Sequence, residues 1–125
     1  MAEITFTGNK KLKSINKEWC SKFPYTYLSF YNAEGKCDGK WDVTHASMRS
    51  KKAAAELSTN AGMKVATFEK RYMEAYGSKI EIKYEKNGRL YRSLGEHDDM
   101  TLNQFNDWCK EKGASDLYKT HPDWF

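Results

Sequence analysis

Residues 2–35 of this chain align without a gap on residues 55–88 at a fixed offset of 53. Six of the 34 positions are identical: Ala2/Ala55, Glu3/Glu56, Lys11/Lys64, Lys17/Lys70, Tyr31/Tyr84 and Gly35/Gly88. The apolar positions match in kind, as in Ile4/Leu57, Leu12/Val65, Ile15/Phe68, Trp19/Tyr72 and Phe23/Tyr76. An internal repeat restricts the fold strongly, because a single supersecondary unit must then account for both halves.

The unit can be read from periodicity. Ile4-Thr5-Phe6-Thr7 alternates apolar and polar residues and runs into Gly8-Asn9, a half-buried strand with its turn. Leu12, Ile15, Trp19 and Phe23 recur at three- and four-residue steps on one face of a helix that Pro24 stops. Residues 25–31 are rich in β-formers, and Asn32-Ala33-Glu34-Gly35 turns the chain into a second, weaker strand around residues 37–43. Thr44 caps a short helix reaching roughly Lys52.

The second copy repeats this order. Residues 55–59 correspond to the first strand, although residues 51–57 have enough helix propensity to extend the preceding helix instead. Val65, Phe68, Tyr72 and Tyr76 define a helix closed by Gly77, and residues 79–84 alternate cleanly. Asn87-Gly88 is the strongest hairpin signal in the chain. Thr101-Leu102-Asn103-Gln104 is a capping box that opens a last helix with Leu102, Phe105, Trp108 and Cys109 as its stripe.

The expected fold class is therefore α+β, two tandem βαββα units packed as one compact domain over residues 1–125. Pseudo-repeat 1 covers about 2–54 and pseudo-repeat 2 about 55–113, leaving 114–125 as a C-terminal tail whose Trp124 and Phe125 dock onto the body. Read consecutively, residues 3–59 instead spell a ferredoxin-like βαββαβ with a helix, hairpin and helix appended.

Function is less constrained. The 21 basic and 17 acidic residues give a formal charge of +4, short of the dense field of a dedicated nucleic-acid binder. Three cysteines without CxxC spacing, and no apolar leader, lead to an expected cytoplasmic location. No run approaches the roughly 18 apolar residues of a membrane span, so no membrane partner is expected. GxSxG, HExxH, P-loop and GxGxxG patterns are absent. Glu96-His97-Asp98-Asp99 is the one cluster of acid/base side chains, and its place before Thr101 suits carboxylates near a helix N-terminus rather than converging metal ligands. Cys20 and Cys109, beside Trp19 and Trp108, read as small core residues. No catalytic residue, metal or cofactor is assigned, and the chain is expected not to be an enzyme.

The copies differ in one respect that bears on binding. Ile80, Ile82 and Tyr84 share one strand face and Glu81, Lys83 and Glu85 the other, which identifies the inside. Carried to the first copy at the same offset, that register makes Tyr27, Ser29 and Tyr31 inner residues and turns Leu28 and Phe30 outward. The leading expectation is a non-enzymatic module that binds a protein partner, or itself as a homodimer, through Leu28, Phe30 and Trp41. The alternative is single-stranded nucleic-acid binding with Tyr25, Lys36 and Lys40 as contacts, although no stretch matches the RNP1 pattern.

Lys64-Val65-x-Thr67-Phe68-x-Lys70-x-Tyr72-x-Glu74-x-Tyr76-Gly77, followed by a hairpin and Asp98-Asp99-x-Thr101-Leu102, resembles a short repeated module of uncharacterised bacterial proteins. The likeness covers about residues 55–106 and, more weakly, the first copy. There Pro24 replaces the glycine and Asp42-Val43 the paired aspartates. It implies a bacterial origin and brings no activity, cofactor or site residue with it.

Overall fold

The computed structural model describes residues 4–31, 42–48 and 57–125. Along the chain these form β1 (Ile4–Thr5), α1 (Leu12–Lys22), β2 (Tyr27–Phe30), α2 (His45–Met48), β3 (Ser58–Thr59), α3 (Val65–Tyr76), β4 (Ile80–Lys86), β5 (Arg89–Arg92), α4 (Leu102–Glu111) and α5 (Leu117–Thr120). Single 3-10 turns occupy Gly95–His97 and Pro122–Trp124. The result is a mixed helix-and-strand molecule with a three-stranded antiparallel sheet, β2-β4-β5, and a two-stranded one, β1-β3.

Neither long helix begins with a side-chain cap. Lys11 and Lys64 stand at the N-cap positions with extended backbones and cap nothing. The orphan first-turn amides are met from elsewhere: Leu12 N–H donates to the Val43 carbonyl at 2.9 Å, and Val65 N–H to the Met100 carbonyl at 2.9 Å. The following helices are clasped in return. His45 N–H donates to the Lys10 carbonyl at 2.8 Å and Leu102 N–H to the Met63 carbonyl at 2.8 Å. Isolated antiparallel bridges, Lys11 with Thr44 and Lys64 with Thr101, lie within the two clasps.

The apolar stripes read from the sequence are the buried ones. Leu12, Ile15, Trp19 and Cys20 line the inner face of α1, and Val65, Phe68, Tyr72 and Tyr76 that of α3. Around Phe6 their rings meet, with centroids 5.9 Å to Phe68, 5.6 Å to Tyr72 and 6.5 Å to Tyr76. α1 ends one residue before Phe23, ahead of Pro24, and α3 ends on Gly77 at φ 68°, whose N–H closes on the Met73 carbonyl. At the far end of the sheet Tyr84 packs edge-on against Phe105 and Trp108 of α4.

The register of β2 overturns the expected orientation of Leu28 and Phe30. In the antiparallel β2–β4 ladder Leu28 stands opposite Ile82 and Phe30 opposite Ile80, while Tyr27 and Ser29 stand opposite Lys83 and Glu81. Residues opposite one another in such a ladder share a face, so Leu28 and Phe30 join Ile80, Ile82 and Tyr84 on the core side. Relative to the fixed offset this is a slip of one residue, which is enough to exchange faces. All four β2 residues are buried.

Three further sequence readings meet the structure with different outcomes. Ser58 and Thr59 are strand, paired with Thr5 and Ile4. Of the weak strand expected at residues 37–43, residues 37–41 lie outside the described residues, and Asp42 and Val43 are not strand. The ferredoxin-like order does not form among the described residues, because β2 pairs with β4 instead of joining β1 and β3.

The C-terminal residues are structured. Ser115 N–H donates to the Glu85 carbonyl at 2.8 Å, Leu117 of α5 is fully buried, and the Tyr118 hydroxyl donates to the Lys17 carbonyl at 2.7 Å. Trp124 then lies edge-on to Tyr27, on the face of the sheet opposite the main core, with His121 stacked on it and hydrogen-bonded to Glu85. The Tyr27 face of the sheet is thus covered at this end by the chain's own terminus.

Candidate functional site

The residues chosen from sequence do not form a common surface. Leu28 and Phe30 are core, 0% and 2% exposed, so neither is available to a partner on the surface. Trp41, Lys36 and Lys40 lie outside the described residues. Tyr25 is half-buried, with its N–H donating to Asn106 Oδ1 at 3.0 Å and Lys110 Nζ 5.9 Å from its ring.

The sheet's two outer strands differ in a more informative way. In an antiparallel ladder, pairs that exchange hydrogen bonds alternate with pairs that do not, and residues of the second kind turn their N–H and C=O groups away from their neighbour. Tyr31 N–H donates to the Lys79 carbonyl, which places 31:79, 29:81 and 27:83 among the bonded pairs and turns the Leu28 backbone outward. Both of its outward groups are taken. Leu28 N–H donates to Asn16 Oδ1 at 2.8 Å, and Asn16 Nδ2 donates to the Leu28 carbonyl at 3.1 Å. Two residues earlier, the Cys20 thiol donates to the Thr26 carbonyl. Side chains of α1 thus stand where a further strand would.

Among the described residues no such cover stands at β5. The Asn87-Gly88 turn, with φ 53° and 77°, has the left-handed pair of a type I′ hairpin and closes the bonded pair Lys86:Arg89. Counting on, 84:91 is bonded and Ser93 N–H donates to the Ile82 carbonyl at 2.9 Å, leaving Leu90 and Arg92 with backbones turned outward. Among the described residues nothing accepts from or donates to those outward groups. All four β5 residues are exposed, and three of the four exposed large hydrophobics among the described residues lie on or just after this strand: Leu90 (54%), Tyr91 (41%) and Leu94 (51%).

A charged group backs the strand. Leu90 and Arg92 share the sheet face of Glu81, whose side chain is nearly buried and accepts hydrogen bonds from the Tyr31 hydroxyl and, at 3.1 Å, from Arg92. Burial works to raise the Glu81 pKa, but these two bonds, with Lys79 and Lys83 nearby, outweigh it and hold the carboxyl below its ordinary range. Glu69 on α3 behaves oppositely. Its burial and the neighbouring Asp98 and Glu81 carboxylates push it up to about 7.

His97, Cys20 and Cys109 are packed in the interior. His97, from the cluster read as lying before a helix N-terminus, is 1% exposed, 4.3 Å edge-on from Trp108 and 4.8 Å from Phe105. Its Nδ1 accepts from Leu94 N–H at 2.9 Å, so the neutral ring carries its proton on Nε2. Burial lowers its pKa against the pull of Glu96 and Asp98. The thiols of Cys20 and Cys109 are raised by burial, the second to about 12, which suppresses the thiolate a nucleophile needs. Among the described residues no three His, Cys, Asp or Glu side chains converge to hold a metal ion, and no helix is long and apolar enough to cross a membrane.

Sequence reasoning recognised the β4–β5 hairpin but not its open edge, since edge position depends on which strands pair across the molecule. One signal was available: Asn16 interrupts an otherwise apolar helix stripe, as a residue does when it must satisfy a neighbouring backbone. Comparison with protein-family models, curated proteins and solved structures finds no match to this chain.

Proposed function

We propose that this chain is a non-enzymatic protein-interaction module that accepts an added β-strand along β5. The observation that carries the reading is the contrast between edges: Asn16 occupies the outward groups of Leu28, whereas those of Leu90 and Arg92 have no partner among the described residues and lie beside exposed Leu90, Tyr91 and Leu94. Open strand edges recruit extended segments through main-chain hydrogen bonds, with alternate side chains setting preference. The buried thiols of Cys20 and Cys109 suit a reducing compartment, in keeping with a cytoplasmic site of action.

In this reading the scaffold is two copies of one unit, joined through their strands. The support is the matched clasps at Lys11/Thr44 and Lys64/Thr101, together with two antiparallel contacts, β1–β3 and β2–β4, each joining one half to the other. The second copy then supplies the binding hairpin.

The test is a displayed library of extended peptides selected on the wild-type protein and counter-screened on Leu90→Pro. That change removes an outward N–H while sparing the bonds to β4. Peptides whose binding falls at least tenfold on the variant support the reading. Binders indifferent to Leu90→Pro and to a second edge variant, Arg92→Pro, would sink it.

A further inference from the structure

The geometry points to a second copy of this chain as the strand that β5 accepts, paired antiparallel about Tyr91; this inference rests on the open-edge reading above. Only residues with outward backbones can exchange hydrogen bonds across such a junction, so Leu90 and Arg92 must supply them, and the two-fold axis falls at residue 90, 91 or 92. An axis at Arg92 sets two guanidinium groups directly opposite, a like-charge pair that is destabilising in a sheet. An axis at Leu90 sets Arg92 against Gly88, in the turn, and shortens the ladder. An axis at Tyr91 places Leu90 of each copy against Arg92 of the other and Arg89 against Ser93, so every arginine faces an uncharged residue.

That register also matches the side chains. Tyr91 is stacked on Tyr84 with ring centroids 5.4 Å apart and interplanar angle 20°. The central pair is non-hydrogen-bonded, the kind in which side chains approach most closely, so the two Tyr91 rings extend a row of four tyrosines across the junction. On the opposite face each Arg92 guanidinium is already neutralised by its own Glu81 at 3.1 Å. An acidic partner strand would gain little from it, and a second copy is not repelled by it. The joined sheet runs β2-β4-β5-β5-β4-β2, with Asn16 on the outward groups of Leu28 at both ends.

Sedimentation equilibrium and cysteine cross-linking of the full chain test this. Wild-type mass should rise toward twice the monomer value on concentrating, and Leu90→Pro and Leu90→Lys should both shift the dissociation constant upward at least tenfold. Under mild oxidation Tyr91→Cys should form a dimer through residue 91, located by peptide mapping. Leu90→Cys should not, because two residues 90 stand two ladder steps apart, beyond the roughly 7 Å that a disulfide spans between Cα atoms. A wild-type chain that stays monomeric at millimolar concentration while β5-dependent peptides still bind would overturn the second copy and leave the open edge standing. A dimer indifferent to both Leu90 variants would overturn the inference. A monomer that also yields no β5-dependent peptide overturns both readings.

Discussion

Asn16 shows how one side chain can set the fate of a sheet edge. It is fully buried in the apolar stripe of α1, and its amide meets both the N–H and the C=O of Leu28. Asn16→Ala leaves two buried backbone groups unmet and should cost about 2–4 kcal/mol, read as a lower urea midpoint with unchanged slope. Asn16→Asp restores the acceptor alone and should recover only part of that loss. Glu69 offers a pH-dependent counterpart. Its carboxyl is raised from 4.5 to about 7, so between these values the folded protein holds a proton that the unfolded chain has released. Its contribution therefore favours folding below about pH 4.5 and is lost as pH rises through 7. Glu69→Gln should match wild type at pH 4.5 and exceed it at pH 8 by about 1 kcal/mol after allowance for partial solvent access, measured by urea titration at both pH values.

At the scale of the element, the structure separates what local pattern dictates from what pairing dictates. The helices α1, α3 and α4 stand where their stripes place them, and the Thr101/Gln104 capping box forms with bonds of 3.1 and 3.0 Å. So does the Asn87-Gly88 hairpin. These depend on neighbours within a few residues, which is why the sequence reveals them. The facing of β2 does not. Tyr27, Leu28, Ser29 and Phe30 are apolar or small on both faces, so no amphipathic alternation fixed the register, and Ile80 and Ile82 across the ladder decided it. The same ambiguity hid the open edge: Leu28 and Phe30 looked available because nothing local said which strand would lie beside them. For the hairpin, Gly88 sits at φ 77° with no atom within 4 Å of where a Cβ would be, so only backbone strain opposes Gly88→Ala. The expected cost is about 1 kcal/mol, with D-Ala at the same position neutral or stabilising, as thermal unfolding of both forms would report.

On the scale of the whole molecule, the two halves are held together at positions that neither could satisfy alone. β1 finds its partner in β3 and β2 in β4, and the core cluster runs from Ile4 and Leu12 through Phe68 and Tyr72 to Phe105 and Leu117. Phe6, from the first half, is in ring contact with three aromatics of α3, so the interior of the second half is incomplete without it. The C-terminal residues add another tie, Leu117 N–H reaching the Pro24 carbonyl from the other end of the chain. Such sharing predicts a single cooperative transition. Leu12→Ala removes a fully buried side chain in the first half and should cost about 2–4 kcal/mol. The loss should appear undiminished in the second half: amide exchange of α4 should accelerate by the same free energy as that of α1, and indole fluorescence should report one midpoint in urea. If α4 kept its protection while α1 lost its own, the halves would be separate folding units, and the hairpin carrying β5 would owe its rigidity to the second alone.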